Sequence, residues 1–209
     1  MYRNGIKRLL AVVLSLCGMI CLSWLFLILA VAIKLDSPGP VFFKQKRVGI
    51  GKKHFYILKF RTMRGDTPHD VPTHLLKNAD SYITKSGAFL RRTSLDELPQ
   101  IYNILKGDMS IVGPRPERIE HVEEYTKEIP EFSYRLRVKG GLTGYAQIYG
   151  KYNTSPYDKL RLDLQYIEKQ SILLDLKLIL LTIKIMFVPE STEGFTAVSY
   201  THLTLPTIR

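Results

Sequence analysis

Leu9 to Ile33 carries no charge, and this run constrains the chain more than any other stretch. An apolar segment of this length can cross a bilayer or enter it deeply. Ala30-Val31-Ala32 has the small-residue look of a cleavage site, but the run far exceeds a signal-peptide h-region of about 7–15 residues. A retained membrane helix is therefore expected over residues 1–35. Arg3, Lys7 and Arg8 precede the run, and Lys34, Lys44, Lys46 and Arg47 follow it. Positive charge on both sides gives no clear inside signal. Two topologies remain: a re-entrant helix with both ends on the cytoplasmic face, or a span that separates the N-terminus from the rest of the chain. Cys17 and Cys21 both lie in the run, so the remainder has no disulfide framework, as suits a reducing compartment.

The rest reads as one domain over 36–190, α+β and mainly helical, with a small β-hairpin. Asp36-Ser37-Pro38-Gly39-Pro40 is a turn. Val41 to Arg47 and His54 to Thr62 are rich in β-branched and aromatic residues, and a glycine-bearing loop joins them as a hairpin. Helices are expected over 75–91, 95–105, 116–128, about 156–168 and about 173–187. The last places Lys177 and Lys184 on one face of an apolar background. It is either an interfacial helix with its lysines at headgroups or an ordinary amphipathic core helix. His69, Asp70 and His74 resemble metal ligands, but Pro68 and Pro72 break any regular helix that would align them, so a solvated loop is expected. The segment 191–209 stands apart: from about Thr196 it drops the helical pattern and reads as foreign sequence from a vector or adapter.

The formal charge of +11 points to anionic partners. Within that basic chain Asp96 and Glu97 are adjacent acids. Ser94 followed by Glu97 is a capping-box pattern, and acids suit a first helical turn. However, Arg91, Arg92, Lys106, Arg115 and Arg118 are close in sequence. Carboxylates among cations stay ionised and are available as nucleophile or metal ligand. Gly113-Pro114-Arg115-Pro116 is a stiff loop: prolines on both sides restrict the backbone of Arg115, whose fork can grip a phosphate. Taken alone it is also an ordinary turn with an exposed arginine. Lys139 to Gln147 is glycine-rich and could bring backbone amides close to a nucleotide, or be a plain turn; it lacks the Walker A ending.

Together these stretches resemble the bacterial sugar transferases, monotopic phosphoglycosyl transferases that start exopolysaccharide, capsule or glycoprotein glycan assembly. The resemblance rests on Ser37 to Gln45, Leu58-Lys59-Phe60-Arg61-Thr62-Met63, Thr93 to Gln100, Leu105 to Glu117, Gly141 to Gln147 and Leu173-Leu174-Asp175-Leu176-Lys177, in family order over residues 1 to about 190. It implies that Asp96 attacks the β-phosphate of a UDP-sugar and releases UMP. Glu97 is then the Mg²⁺-binding neighbour, and undecaprenyl phosphate takes the phosphosugar from Asp96. Arg115 is implied to contact phosphate, with Arg91 or Arg92 assisting; Lys59 and Asp175 lie in further family motifs and join the expected substrate-binding set. The implied setting is the bacterial plasma membrane, with the catalytic domain cytoplasmic and membrane lipids and other glycan-assembly enzymes as partners.

Three positions depart from the family pattern. Ser23-Trp24 stands where a Ser-Pro commonly breaks the membrane helix into a re-entrant hairpin. Lys139-Gly140 replaces Arg-Pro, which keeps charge but loses the bidentate fork. Tyr145 replaces a frequent tryptophan. An inactive membrane-anchored scaffold is the alternative reading, and the intact Asp96, Glu97 and Arg115 argue against it. No nucleic-acid module is recognisable, and anionic lipid with UDP accounts for the basic charge.

Overall fold

The uncharged run does not form one straight helix. In a computed structural model that describes residues 2–68, 79–150 and 154–186, it splits into α1 (Lys7–Cys21) and α2 (Ser23–Asp36), bent by 61°. The bend needs no proline. Leu22 leaves helical geometry at φ −97°, ψ 5°, and the Ser23 hydroxyl donates to the Ile20 carbonyl at 2.9 Å. A serine that bonds back to the preceding turn bends a helix. Among the described residues no single helix is long and apolar enough to cross a membrane; α1 and α2 meet that test only as a bent pair.

The inner face of this pair packs on the domain. Ala11 joins Ile57, Ile104 and Met109, and Leu29 and Ile33 join Phe60 and Leu90. Its outer face leaves Leu9, Leu16, Ile20, Trp24, Leu27 and Leu35 exposed. Contiguous exposed apolar faces of this kind mark membrane or protein contact sites.

The hairpin forms as expected. β1 (Phe42–Val48) and β2 (His54–Phe60) pair antiparallel, Phe42 opposite Phe60 and Val48 opposite His54. Polar side chains clamp β2 at its end and at its middle. Arg61, just after β2, is buried and donates to the carbonyls of Pro38 and Ser37, the latter at 2.7 Å, at the exit of α2. Asn103, buried in α4 (Gln100–Lys106), donates to the Tyr56 carbonyl at 2.7 Å and accepts from the Leu58 amide at 2.9 Å. Its amide thus satisfies the open edge of β2, which would otherwise bury unpaired backbone groups.

The helix expected over 75–91 is shorter. A 3₁₀ turn at Ala79–Tyr82 precedes α3 (Lys85–Thr93), and positions 75–78 lie outside the described residues, as do His69, Asp70, His74 and the tail 191–209. Thr84 caps α3 by accepting from the Gly87 amide at 3.0 Å. Asp36 accepts from the Ser86 amide and hydroxyl, each at 2.7 Å, which ties α2 to α3.

The other long helices agree with their sequence pattern within a few residues: α5 (Ile119–Glu128), α7 (Pro156–Lys169) and α8 (Ile172–Met186). A 3₁₀ segment at Pro130–Arg137 packs between α5 and α7 around Phe132, Leu136 and Leu160. Truncating Phe132, fully buried there, is expected to cost about 3–5 kcal/mol.

A parallel pair, β3 (Ser110–Val112) with β4 (Gly141–Thr143), escapes sequence reading because three residues are too few to show a period. The glycines explain the pairing. A β-carbon on Gly141 would sit 2.1 Å from the Gly113 nitrogen, and one on Gly144 would sit 2.2 Å from the Gly113 oxygen. The glycine-rich stretch therefore serves backbone packing. The short α6 (Tyr145–Tyr149) follows β4.

Candidate active site

Three elements converge on the acidic pair. α3 ends where Ser94 turns left-handed, at φ 56°. The next residues, Leu95–Glu97, form a 3₁₀ turn before α4. Ser94 makes no side-chain cap there, so the expected capping box is not formed; its backbone closes α3 instead, with its amide on the Arg91 carbonyl at 3.2 Å. The helix expected from residue 95 begins only at Gln100, with Pro99 at its N-cap. A left-handed non-glycine residue costs conformational energy, and such strain clusters at functional sites.

This turn aims Asp96 and Glu97 at β2. Lys59 Nζ lies 2.6 Å from Glu97 Oε1 and 3.5 Å from Asp96 Oδ2. Because Asn103 pins Leu58, the register that delivers Lys59 is fixed one residue away. From the other side the Arg115 fork takes both Glu97 oxygens, Nη1 to Oε2 at 3.0 Å and Nη2 to Oε1. Fork-to-carboxylate pairing is the strongest geometry available to an arginine.

The loop that carries Arg115 is held at three successive carbonyls. Pro114 accepts from the Gly141 amide at 2.9 Å, Arg115 from Arg135 Nη2 at 2.9 Å, and Pro116 from Arg47 Nη1 at 3.0 Å. Arg135 is itself buried and paired with buried Asp163, its Nε at 2.9 Å and Nη2 at 2.7 Å from Oδ2. Burial lowers Arg47 to about 10, and the neighbouring charge of Arg115 adds to the effect.

The two acids sit in different fields. Burial raises the Asp96 carboxyl above its ordinary value, and the charge of Lys59 only partly offsets it. Burial also pushes Glu97 up, but the charge and hydrogen bonds of Arg115, with those of Lys59, outweigh it and hold Glu97 at about 2. Unequal environments give paired carboxylates unequal roles. Glu97 is a fixed anion, and Asp96 is the more basic and less engaged oxygen donor.

Four of the residues singled out in the sequence thus meet: Lys59, Asp96, Glu97 and Arg115. Arg91 lies in the last turn of α3 and donates from Nε to Thr62 Oγ1 at 3.0 Å; Arg92 beside it is exposed. Neither makes an ion pair with the acids in this structure. Asp175 belongs to another cluster: it accepts from Tyr166 at 2.7 Å and from Tyr2, and lies 3.1 Å from Lys7 Nζ. Arg135, Arg47 and Asn103 support the site but carry no local signature, because their partners are distant in sequence.

Among the described residues no group of three or more His, Cys, Asp or Glu is arranged to hold a metal. Mg²⁺ asks for less, since one or two carboxylates suffice when substrate phosphates complete its shell. Asp96 and Glu97 fit that demand, both ionisable and adjacent.

A family model described as bacterial sugar transferase matches residues 2–189. A UDP-glucose:undecaprenyl-phosphate glucose-1-phosphate transferase of Xanthomonas campestris pv. campestris is 44% identical over 181 residues, covering 84% of this chain and 37% of that protein. The enzyme of the same name in Escherichia coli (strain K12) is 42% identical over 189 residues, covering 86% and 40%. A UDP-N-acetylgalactosamine-undecaprenyl-phosphate N-acetylgalactosaminephosphotransferase of Aeromonas hydrophila is 39% identical over 183 residues, covering 86% and 43%. The chain spans about two fifths of the length of these relatives. With the model matched from the first helix to the end of α8, the chain belongs to the bacterial sugar transferase family.

Proposed function

We propose that this chain transfers a sugar 1-phosphate from a UDP-sugar to undecaprenyl phosphate, the first membrane step of exopolysaccharide, capsule or glycan assembly. The observation that carries the reading is the Lys59–Asp96–Glu97–Arg115 cluster in a chain of this family. Asp96 attacks the phosphorus that bears the sugar. A bond forms from its carboxylate oxygen, and the bond to the bridging oxygen breaks, so UMP leaves. A phosphate oxygen of undecaprenyl phosphate then attacks the same phosphorus, and the Asp96 carboxylate departs unchanged. Two displacements replace one hard one.

Arg115 and Lys59 offer their remaining N–H groups to the diphosphate and stabilise charge that develops on it. Glu97 holds both cations in place and, with Asp96, would bind Mg²⁺, which neutralises phosphate charge when present. Asp96 must be ionised to attack, and its elevated proton affinity makes it a better nucleophile than an ordinary carboxylate.

The exposed outer faces support a membrane setting. On α8, Leu173, Leu176, Leu180 and Ile183 are exposed, with Lys177 and Lys184 also outward. This arrangement and the bent α1–α2 pair suit an interfacial seat in the plasma membrane, with the domain on the cytoplasmic face.

The test is UMP release by the purified chain with Mg²⁺ and undecaprenyl phosphate across a panel of UDP-sugars that begins with glucose and N-acetylgalactosamine donors. Lipid-dependent release with one donor, lost in Asp96→Asn, supports the reading. Folded protein that releases no UMP with any donor argues for a scaffold.

A further inference from the structure

A second basic site lies at the start of α1, apart from the acidic pair. Gly107 follows α4 at φ +99°, where a side chain is strained. The point where a β-carbon on Gly107 would sit is 3.3 Å from Arg8 Nη2 and 3.7 Å from Lys139 Nζ. Two cations far apart in sequence therefore face one small volume that glycine leaves open.

Arg8 cannot swing away easily. Its guanidinium caps α4, donating to the carbonyls of Ile104 and, at 2.7 Å, Leu105. Of its five N–H donors, three remain. Among the described residues no carboxylate lies within ion-pair distance of Arg8 or Lys139. Asp108 is the acid that acts on Lys139, but it already accepts from Lys106 at 3.1 Å and Asn103 at 3.4 Å. Burial, with the charge of Arg8, lowers the proton affinity of Lys139. A partly buried pair of like charges with no ion-pair partner is costly to keep unless an anion joins it.

The position indicates which anion. Arg8 stands in the first turn of α1, next to Leu9, which is 64% exposed and begins the apolar outer face. Phosphates of membrane lipids lie at this boundary. From the geometry we infer that Arg8 and Lys139 form a binding site for a lipid-borne phosphate, placed at the rim of the membrane face. The inference rests on the membrane seat proposed above. A bilayer phospholipid and the polyprenyl acceptor present the same chemistry, and the experiment separates them.

Full chain, Lys139→Gln and Lys139→Arg are floated with neutral phosphatidylcholine vesicles and with vesicles containing phosphatidylglycerol. Initial rates against undecaprenyl phosphate and against the sugar donor are measured in parallel. Lys139→Gln is chosen because it leaves the Arg8 cap intact. A loss of about 5-fold in binding to anionic vesicles only, restored by Lys139→Arg, assigns the site to bilayer phospholipid. Unchanged flotation with a comparable rise in KM for undecaprenyl phosphate, and none for the donor, assigns it to the acceptor. If Lys139→Gln matches the parent in both assays, the site is overturned while the membrane seat stands. If the parent floats with neither vesicle, both are overturned.

Discussion

Arg135 Nη2 donates at 2.9 Å to the backbone carbonyl of Arg115, so a buried ion pair sets the direction of an arginine at the acidic pair. Arg135 and Asp163 are each 1% exposed. Their pairing leaves the Arg115 fork free to engage Glu97, because its main chain is held from behind. Arg135→Lys keeps the charge but loses the fork that reaches two acceptors at once. Its expected effect is a fall in kcat of about 10–100-fold with little change in KM, from misplacement of Arg115. Arg135→Met should also cost about 3–5 kcal/mol by denaturant melt, since it strands Asp163. A Lys variant with parental kcat would remove Arg135 from any positioning role.

Asp96→Asn should abolish turnover and raise the melting temperature. The sign follows from burial, which raises the folded-state affinity of Asp96 for its proton. A carboxyl with a raised folded pKa destabilises the fold wherever it is ionised, above that pKa, and the cost vanishes below the unfolded value. At neutral pH the amide removes this cost, and about 2 °C is expected for each half to one kcal/mol relieved. The acid limb of the rate profile should also be shifted upward from the ordinary aspartate value. A limb at an ordinary carboxylate value, with an unchanged melting temperature, would contradict the desolvated state of Asp96.

Glu97 behaves in the opposite sense. Its folded value of about 2 lies below its ordinary 4.5, so it contributes stability above pH 4.5 that is lost as pH falls towards 2. The contribution is about 3 kcal/mol at neutral pH. Glu97→Gln should lower stability by that order at pH 7 and converge with the parent near pH 2. Parallel melting curves for the two proteins across that window would disprove the Arg115–Glu97–Lys59 coupling.

How much of this arrangement was legible in the chain depends on sequence distance. Asp96, Glu97 and Arg115 announce themselves because charge and stiff backbone are local properties. The hairpin was plain from its β-branched and aromatic content and its glycine-bearing loop, and the helices over 119–128, 156–169 and 172–186 were expected within a few residues of their place. Ser94 misled, since a Ser-x-x-Glu pattern normally caps a helix, while here Pro99 delays α4 and Ser94 closes α3 instead. The supports stayed hidden: Asn103 acts on β2 and Arg135 on Asp163, and no short window contains both partners. A re-entrant helix was open from the sequence, but its hinge was not, because Ser23 stands in for proline through a hydrogen bond that only the folded helix displays.

Gly140 is the next test of that packing. A β-carbon there would sit 2.5 Å from Pro116 Cγ and 3.2 Å from the Pro114 oxygen. Gly140→Ala should therefore push the Arg115 loop off Glu97, lowering both stability, by about 1–3 kcal/mol, and turnover. Pro116→Ala in the same chain should recover part of the loss. Full activity in Gly140→Ala alone would mean that the loop tolerates displacement.

The contacts at the start of α1 favour the re-entrant topology over the span. Lys7 pairs with Asp175 at 3.1 Å, and Arg8 donates to the end of α4, so the N-terminal end of the helix pair is fastened to the rest of the fold. The other end is fastened as well, by Arg61 at Ser37 and by Asp36 at Ser86. A spanning helix cannot keep both sets of contacts, because the first would lie across the bilayer from the second. A re-entrant pair bent by 61° at Leu22 would keep both sets of contacts on one face. Cysteines placed at Gly5 and Lys53, with Cys17 and Cys21 changed to serine, should be labelled together from the cytoplasmic side by a membrane-impermeant maleimide. Labelling from opposite sides would break the Lys7–Asp175 pair as a feature of the membrane-bound enzyme. Straightening the hinge with Ser23→Ala should weaken the same-side pattern, since it removes the hydroxyl bond to Ile20 that accompanies the bend.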